Sequence, residues 1–279
     1  MILRTLSYIW KTMLRSKYTD ALWNFLVRAG LVALPKPRIL LQNDHFVVID
    51  KDPDVRINSD DPNMAVTVEN QLRLLYPDKA DARIKHGYRF IHRLDFATSG
   101  VLCLAFNKKA CNEASQQFKN TKVTKHYLAL VRGHIQIPYL TINLAIGKET
   151  APSMEHMCCA STSATCINPK QAKTHLVLLE LGLYQNSPAS KVLLIPETGR
   201  QHQLRVHCMS VGHPIVGDYT YSFRTDNKPY RMMLHAYRLI IPLQSGDIDV
   251  TAPDPFLTET DGHWRSTDIL LTYSDFIKT

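Results

Sequence analysis

Asp95 stands in the stretch His92-Arg93-Leu94-Asp95-Phe96-Ala97-Thr98-Ser99-Gly100, a carboxylate close to an imidazole and a guanidinium. Residues two apart in extended backbone project to one side, so Arg93 and Asp95 share a face. Thr98-Ser99-Gly100 can turn sharply and offers hydroxyls and amides. The apolar run Val101 to Phe106 follows and reads as a buried strand, a rigid mount for a reactive group. A lone Asp in a turn is most often a cap or turn former. Its cationic neighbours and the strand behind it shift the reading to a nucleophile.

Two further stretches carry chemistry. In Thr198-Gly199-Arg200-Gln201-His202-Gln203-Leu204-Arg205-Val206-His207, a helix would place Gln201, Leu204 and Arg205 on one face. The bland reading is a basic helix with a solvated face. The sharper one turns Arg205 inward to pair with a buried carboxylate, keeping it ionised and aimed. In Val123 to Val131, alternation puts Lys125 and Tyr127 on one strand face and His126 on the other. A strand Tyr is usually a core filler, but beside a carboxylate it can stack on a flat base, worth roughly 1–3 kcal/mol.

The elements that would position these groups follow from periodicity. Pro35-Lys36-Pro37 breaks any preceding helix, so a boundary is expected at about residue 38. Strands are expected over His45 to Asp50, Val123 to Gly133, Thr141 to Ile146, His175 to Tyr184 and Lys191 to Pro196. Shorter ones are expected over Ile215 to Tyr219, Met233 to Pro242 and Asp247 to Ala252. Helices are expected over Val66 to Tyr76, Lys108 to Asn120 and Arg200 to Val211. Lys148 to Lys173 reads as a loop or irregular hairpin, and the last twenty-odd residues as irregular, then weakly helical. Strands outnumber helices in hairpin-like succession, which predicts an α+β fold with a mixed, mainly antiparallel sheet.

Composition narrows the class. With 45% hydrophobic and 21% charged residues, the chain is an ordinary globule large enough for a full core. The net charge is +8, but Arg4, Lys11, Arg15, Lys17, Arg28, Lys36 and Arg38 against Asp20 place most of it in residues 1–38. Any nucleic-acid surface on the body is then a local patch. Ile2, Leu3, Leu6, Ile9, Trp10, Met13 and Leu14 recur at helical spacing among basic residues, as in an organelle transit peptide. A mitochondrial location is weighed against a cytoplasmic or nuclear one, in which this segment is a surface helix packed on the body. No apolar run of about 18 residues is present, so no membrane span is expected. The six cysteines form no C-x-x-C pair, and His156 with Cys158, Cys159 and Cys166 lacks structural-zinc spacing. No metal site is expected.

Taken together, these stretches resemble the RluA-type pseudouridine synthases. The likeness rests on His92-Arg93-Leu94-Asp95-x-x-Thr98-Ser99-Gly100, Lys125-x-Tyr127-x-Ala129 and Gly199-Arg200-x-His202-Gln203-Leu204-Arg205-Val206-His207. Gly212-His213-Pro214-Ile215-Val216-Gly217-Asp218 and Leu234-His235-Ala236 extend it in the family's order. The resemblance implies a pseudouridine synthase fold with flanking helices around a central cleft, over a catalytic domain of residues 39–279. It implies Asp95 as nucleophile, Arg93 inserted into the RNA where a uridine flips out, Tyr127 stacked on that base, and Arg205 ion-paired with Asp95. His92, Thr98, Lys125, Arg200, His202 and Gln203 would bind substrate. No metal or organic cofactor is implied, and the partner would be tRNA, rRNA or mRNA bound by a monomer. The alternative is an idle RNA-binding or assembly factor that kept the fold.

Departures from the pattern carry their own expectations. Asp54 stands where the family's first motif has glycine; an L-residue resists a left-handed turn, so a different turn is expected there. Gln201 replaces a usual Thr or Ser and is expected to matter little. With no S4-type module in this sequence, RNA affinity is expected from the body. Lys108, Lys109, Lys119, Lys122 and Lys125 are candidates, although a solvated helix face accounts for that run as well.

Overall fold

The computed structural model describes residues 17–278. Its spine is a mixed sheet in the order β1 (Arg38–Gln42), β2 (Phe46–Lys51), β4 (Ser99–Ala105), β12 (Leu234–Ile241), β5 (Thr124–Arg132), β11 (Ser187–Pro196), β10 (Lys173–Tyr184), β14 (Trp264–Ile269). β3 (Arg89–Phe90) pairs with β4, β6 (Tyr139–Asn143) with β10, and β13 (Ile248–Thr251) with β12. All these pairings are antiparallel except β4 with β12, which run parallel. This is the α+β, mainly antiparallel architecture expected.

Alternation along β2 and β4 builds a core on each side of the sheet. Phe46, Val48, Val101 and Cys103 enter one cluster with Ala110 and Ala114. Val47, Ile49, Leu102 and Leu104 enter the other with Val68 and Leu72. A strand covered on both faces must be apolar throughout, and every residue of β4 is buried. Two helices supply the covers. α2 (Val68–Leu75) is capped by the Thr67 hydroxyl, which accepts from the Asn70 amide at 3.1 Å. α3 (Lys108–Lys119) is capped by the Asn107 side chain, which accepts from Ala110 at 2.9 Å.

α1 (Lys17–Arg28) lies on the body. Trp23 and Val27 pack against the Val47 cluster, and the buried Asn24 side chain accepts from the Val66 amide at 2.8 Å. Contacts therefore run across the boundary expected at residue 38. The helical spacing over residues 2–14 lies outside the described residues.

Several expectations are corrected. Of the loop or irregular hairpin expected over 148–173, the structure shows antiparallel pairing with a register shift rather than a loop. The segment contributes to a small sheet of β7 (Ile146–Glu149), β8 (Cys158–Ala160) and β9 (Cys166–Lys170), whose polar residues occupy turns and exposed edges. Met157, Cys158 and Ala160 are buried there against Val206 and Tyr221, contacts distant in sequence. Ile215 to Tyr219 is no strand; Ile215 makes one bridge to Val131, and the chain then turns. The C-terminal stretch includes β14 before its short helix α5 (Tyr273–Phe276). Finally, α4 (Gln203–Ser210) starts three residues later than expected, because His202 takes a left-handed conformation at φ 55°. Gln201 sits in the preceding turn, so it shares no helix face with Leu204 and Arg205.

Candidate active site

A solvent-open cleft lies between the 93–98 loop, β5 and the 196–205 segment. Its walls include Arg93, Asp95, Thr98, Lys125, Tyr127, Arg200, His202, Gln203 and Arg205. The loop is short and pinned. The Thr98 amide donates to the Asp95 carbonyl at 3.1 Å, closing a turn directly ahead of β4. The buried Lys51 ammonium, at the end of β2, donates to the carbonyls of Asp52, Val55 and Phe96 at 2.8, 2.9 and 3.0 Å. Burial pushes Lys51 down to about 7, opposed by Asp54 and Asp52. Gly100 holds φ at +108°, and a Cβ there would sit 2.2 Å from the Ala236 carbonyl oxygen. Only glycine lets β4 run this close to β12.

Charge is concentrated on Asp95. Its Oδ2 lies 3.6 Å from Arg205 Nη1 and 3.9 Å from His202 Nε2, and the side chain is 30% exposed. Arg205 is already engaged. Its Nε and Nη2 donate to the Asp218 carboxylate at 2.7 and 2.8 Å, a bidentate pair with Asp218 at 1% exposure. Burial opposes the Arg205 charge, but the Asp218 bonds outweigh it and hold its pKa above the usual value. The guanidinium carbon also lies 4.8 Å from the Tyr221 ring centroid. Tyr221 in turn bonds His202 Nδ1 through its hydroxyl at 2.9 Å and accepts from the Cys158 amide at 2.9 Å. Burial, and then the Asp95 charge, raise the Tyr127 phenol above its ordinary value. Burial lowers Lys125. The cleft thus offers one exposed carboxylate, a phenol that keeps its proton at neutral pH, and a cation fixed behind both.

The sequence-predicted residues fall into groups. Arg93, Asp95, Thr98, Lys125, Tyr127, Arg200, His202, Gln203 and Arg205 are brought together. His92 is not. Its Nε2 accepts from the Cys103 amide at 3.0 Å, and its ring stacks on Phe118 at 5.1 Å. Burial depresses it to about 4, so it remains a neutral acceptor under β4 rather than a substrate contact. Gln203 reaches the cleft wall, yet its amide is spent inward: Oε1 accepts from Thr198 Oγ1 and the Arg200 amide, and Nε2 donates to the Lys173 carbonyl. It shapes the 198–200 turn. Arg200 Nε is tied to the Gln171 carbonyl at 2.9 Å. The expected Arg205–Asp95 pair is present at 3.6 Å, but the guanidinium fork belongs to Asp218. Of the five lysines considered for RNA, Lys125 lines the cleft. Asp54 adopts φ 58°, so the left-handed conformation is kept despite the missing glycine. Asp218, Tyr221 and Lys51 were not singled out from the sequence. Its place at the end of the Gly212 to Asp218 motif was the available signal for Asp218.

The comparisons with known proteins bear on this cleft. The RNA pseudouridylate synthase family model matches residues 45–210, the span carrying Asp95, Tyr127 and Arg205. The chain belongs to the RNA pseudouridylate synthase family. This synthase is 49% identical over 240 residues to RNA pseudouridylate synthase domain-containing protein 1 of Danio rerio, covering 86% of the chain and 82% of that protein. It is 33% identical to the dual-specificity RNA pseudouridine synthase RluA of Escherichia coli, over 78% of the chain and 93% of that protein. Among solved structures, human RNA pseudouridylate synthase domain containing 1 superposes with TM-score 0.78 at 44% identity, over 87% of this chain and 94% of that one. Human RNA pseudouridylate synthase domain containing 4 matches at TM-score 0.60 and 20% identity, a likeness of fold. The synthase is therefore an RluA-type pseudouridine synthase, an isomerase acting on RNA. Asp218 and Tyr221 lie beyond the matched span and hold Arg205 and His202 from behind the cleft.

Proposed function

We propose that the synthase converts uridine to pseudouridine within structured RNA, with Asp95 as the nucleophile. The N1–C1′ bond breaks, the freed uracil turns in the cleft, C5 bonds to C1′, the C5 hydrogen leaves as a proton and N1 takes one up. A carboxylate serves this by attacking C1′ or by removing the 2′ proton, and either role needs it ionised. Arg205 brings its guanidinium to 3.6 Å from that carboxylate. Tyr127 stacks on the detached base and, holding its proton, donates a hydrogen bond to it, while the C5 proton passes to water. Arg93, exposed at the mouth, fills the gap left when the uridine leaves its stack. Extrusion costs a few kcal/mol, which favours uridines in loops or single strands of tRNA, rRNA or mRNA. The protein acts as a monomer.

One observation carries the reading: Asp95 is the partly exposed carboxylate of the cleft, backed by Arg205 and next to Tyr127. A tritium-release assay on RNA containing 5-³H-uridine tests it. Wild type should release label, and Asp95→Asn should release none while keeping its fold and RNA affinity. Full turnover by Asp95→Asn would remove Asp95 from the reaction. A silent wild type that still binds RNA would favour the idle-scaffold alternative.

A further inference from the structure

Phe96 follows Asp95 directly and is 40% exposed, although it sits on the most tightly held loop of the cleft. A single exposed aromatic on a surface needs no explanation. This one is built in. The Arg56 guanidinium lies over its ring, 5.7 Å from the centroid. The Lys51 ammonium donates to the carbonyls of both Phe96 and Val55, and Val55 is the neighbour of Arg56. One buried cation thus fixes the backbones carrying the ring and the guanidinium in register. On its other side, the Arg56 carbonyl accepts from the Val68 amide at 2.9 Å, anchoring it to the start of α2. Arg56 is exposed and free to face solvent phosphate with the rest of its surface.

We propose that Phe96, backed by Arg56, is a stacking platform for the nucleobase next to the isomerised uridine. The proposal rests on the reading of Asp95 given above and extends it to the flanking nucleotide. Asp95 and Phe96 are consecutive, so their Cα atoms lie about 3.8 Å apart. Asp95 lines the cleft and Phe96 does not, so the exposed ring stands beside the pocket of the extruded base, where the next base would lie. When a uridine is extruded, its neighbour loses a stacking partner, and an aromatic face replaces that contact. Every base has a π-face, so the platform binds without reading sequence. Arg56 adds a cation that stiffens the ring and meets the adjoining phosphate. Arg93 and Phe96 then bracket Asp95, one at the vacated position and one under the next base.

The test uses the full chain and total RNA from cells depleted of the protein, labelled with 5-³H-uridine. A flanking stack is made equally in ground and transition states, so it moves KM and leaves kcat. Phe96→Leu should raise KM on the order of tenfold with kcat unchanged, given the usual strength of a base–aromatic stack. Phe96→Tyr should restore the wild-type value, and Arg56→Gln should raise KM by a smaller factor. Filter binding of the same RNA should show the matching loss of affinity. Wild-type KM and affinity in Phe96→Leu would overturn the platform, as would a fall in kcat alone. If wild type released no label, the reading of Asp95 would fail, while filter binding would still decide the platform by whether Phe96→Leu binds more weakly than wild type.

Discussion

Arg205 has one guanidinium and two carboxylates to satisfy, and geometry ranks them. Asp218, nearly inaccessible, takes two short bonds, and Asp95 takes a 3.6 Å contact from the remaining nitrogen. The arginine is thus oriented by Asp218, and its remaining nitrogen is turned toward Asp95. Asp218→Asn halves that grip and leaves a buried cation poorly matched. Breaking a buried pair costs roughly 3–5 kcal/mol, and Asp95 offsets part of it, so a loss of about 3 kcal/mol in urea denaturation is expected. A small displacement of the reacting group can cost about 10²-fold, so kcat should fall by that order with RNA affinity retained. Unchanged kcat in a folded Asp218→Asn protein would refute the orienting role. Asp95, Tyr127 and Arg205 were legible because each lies in a local pattern of charge or alternation. Asp218 was not, because its partner is set by how the 212–221 turn folds against α4. His92 was misassigned for the converse reason. Its neighbours in sequence are those of the cleft, but the strand pairing turns its ring beneath β4.

At the level of elements, the reactive loop is positioned by a parallel contact between β4 and β12 that glycine alone permits. Gly100→Ala forces a Cβ to within 2.2 Å of the Ala236 carbonyl, on a backbone at φ +108° that L-residues avoid. The strands must part, at a cost of ~3 kcal/mol, and Ser99 and the Asp95 turn move with them. A lowered urea midpoint and a loss of tritium release should appear together; a variant with wild-type values in both would show that the contact gives easily. The central strands were plain in the sequence because burial on both faces leaves only apolar residues. The small sheet over 146–170 was not, because its strands are only three to five residues long, too short to show a sustained alternation. What makes them strands is packing on Val206 and Tyr221, which no local window contains. The late start of α4 was hidden for a similar reason: the Gln203 amide closes the 198–200 turn before the helix begins.

Across the whole molecule, buried histidines govern the response to acid. Burial lowers His92 and His126 to about 4 and His235 to about 3, from 6.5 in an open chain. Between those values the unfolded chain binds more protons than the folded one, so stability is present above about 6.5 and is lost as pH falls. Asp50, raised by burial from 3.8 to about 6, acts in the opposite sense between those two values. Burial also lowers His202 and His207 and raises Asp261, so two carboxyls stand against five imidazoles and the histidine sign is in control. Each proton of difference is worth about 1.4 kcal/mol per pH unit. The urea midpoint should drop steadily from pH 6.5 to 5, and a flat profile would show that these rings titrate freely. A last proton matters on a smaller scale. The Tyr221 hydroxyl accepts from the Cys158 amide and has one hydrogen to give, with two takers: His202 Nδ1 at 2.9 Å and the Cys158 carbonyl at 3.2 Å. Given to His202, it fixes the neutral tautomer with its hydrogen on Nε2, the nitrogen that faces Asp95. Given to Cys158, it turns a bare lone pair toward that carboxylate. The Asp95 carboxylate favours the first arrangement, so the hydroxyl that anchors the small sheet also decides which side of an imidazole Asp95 meets.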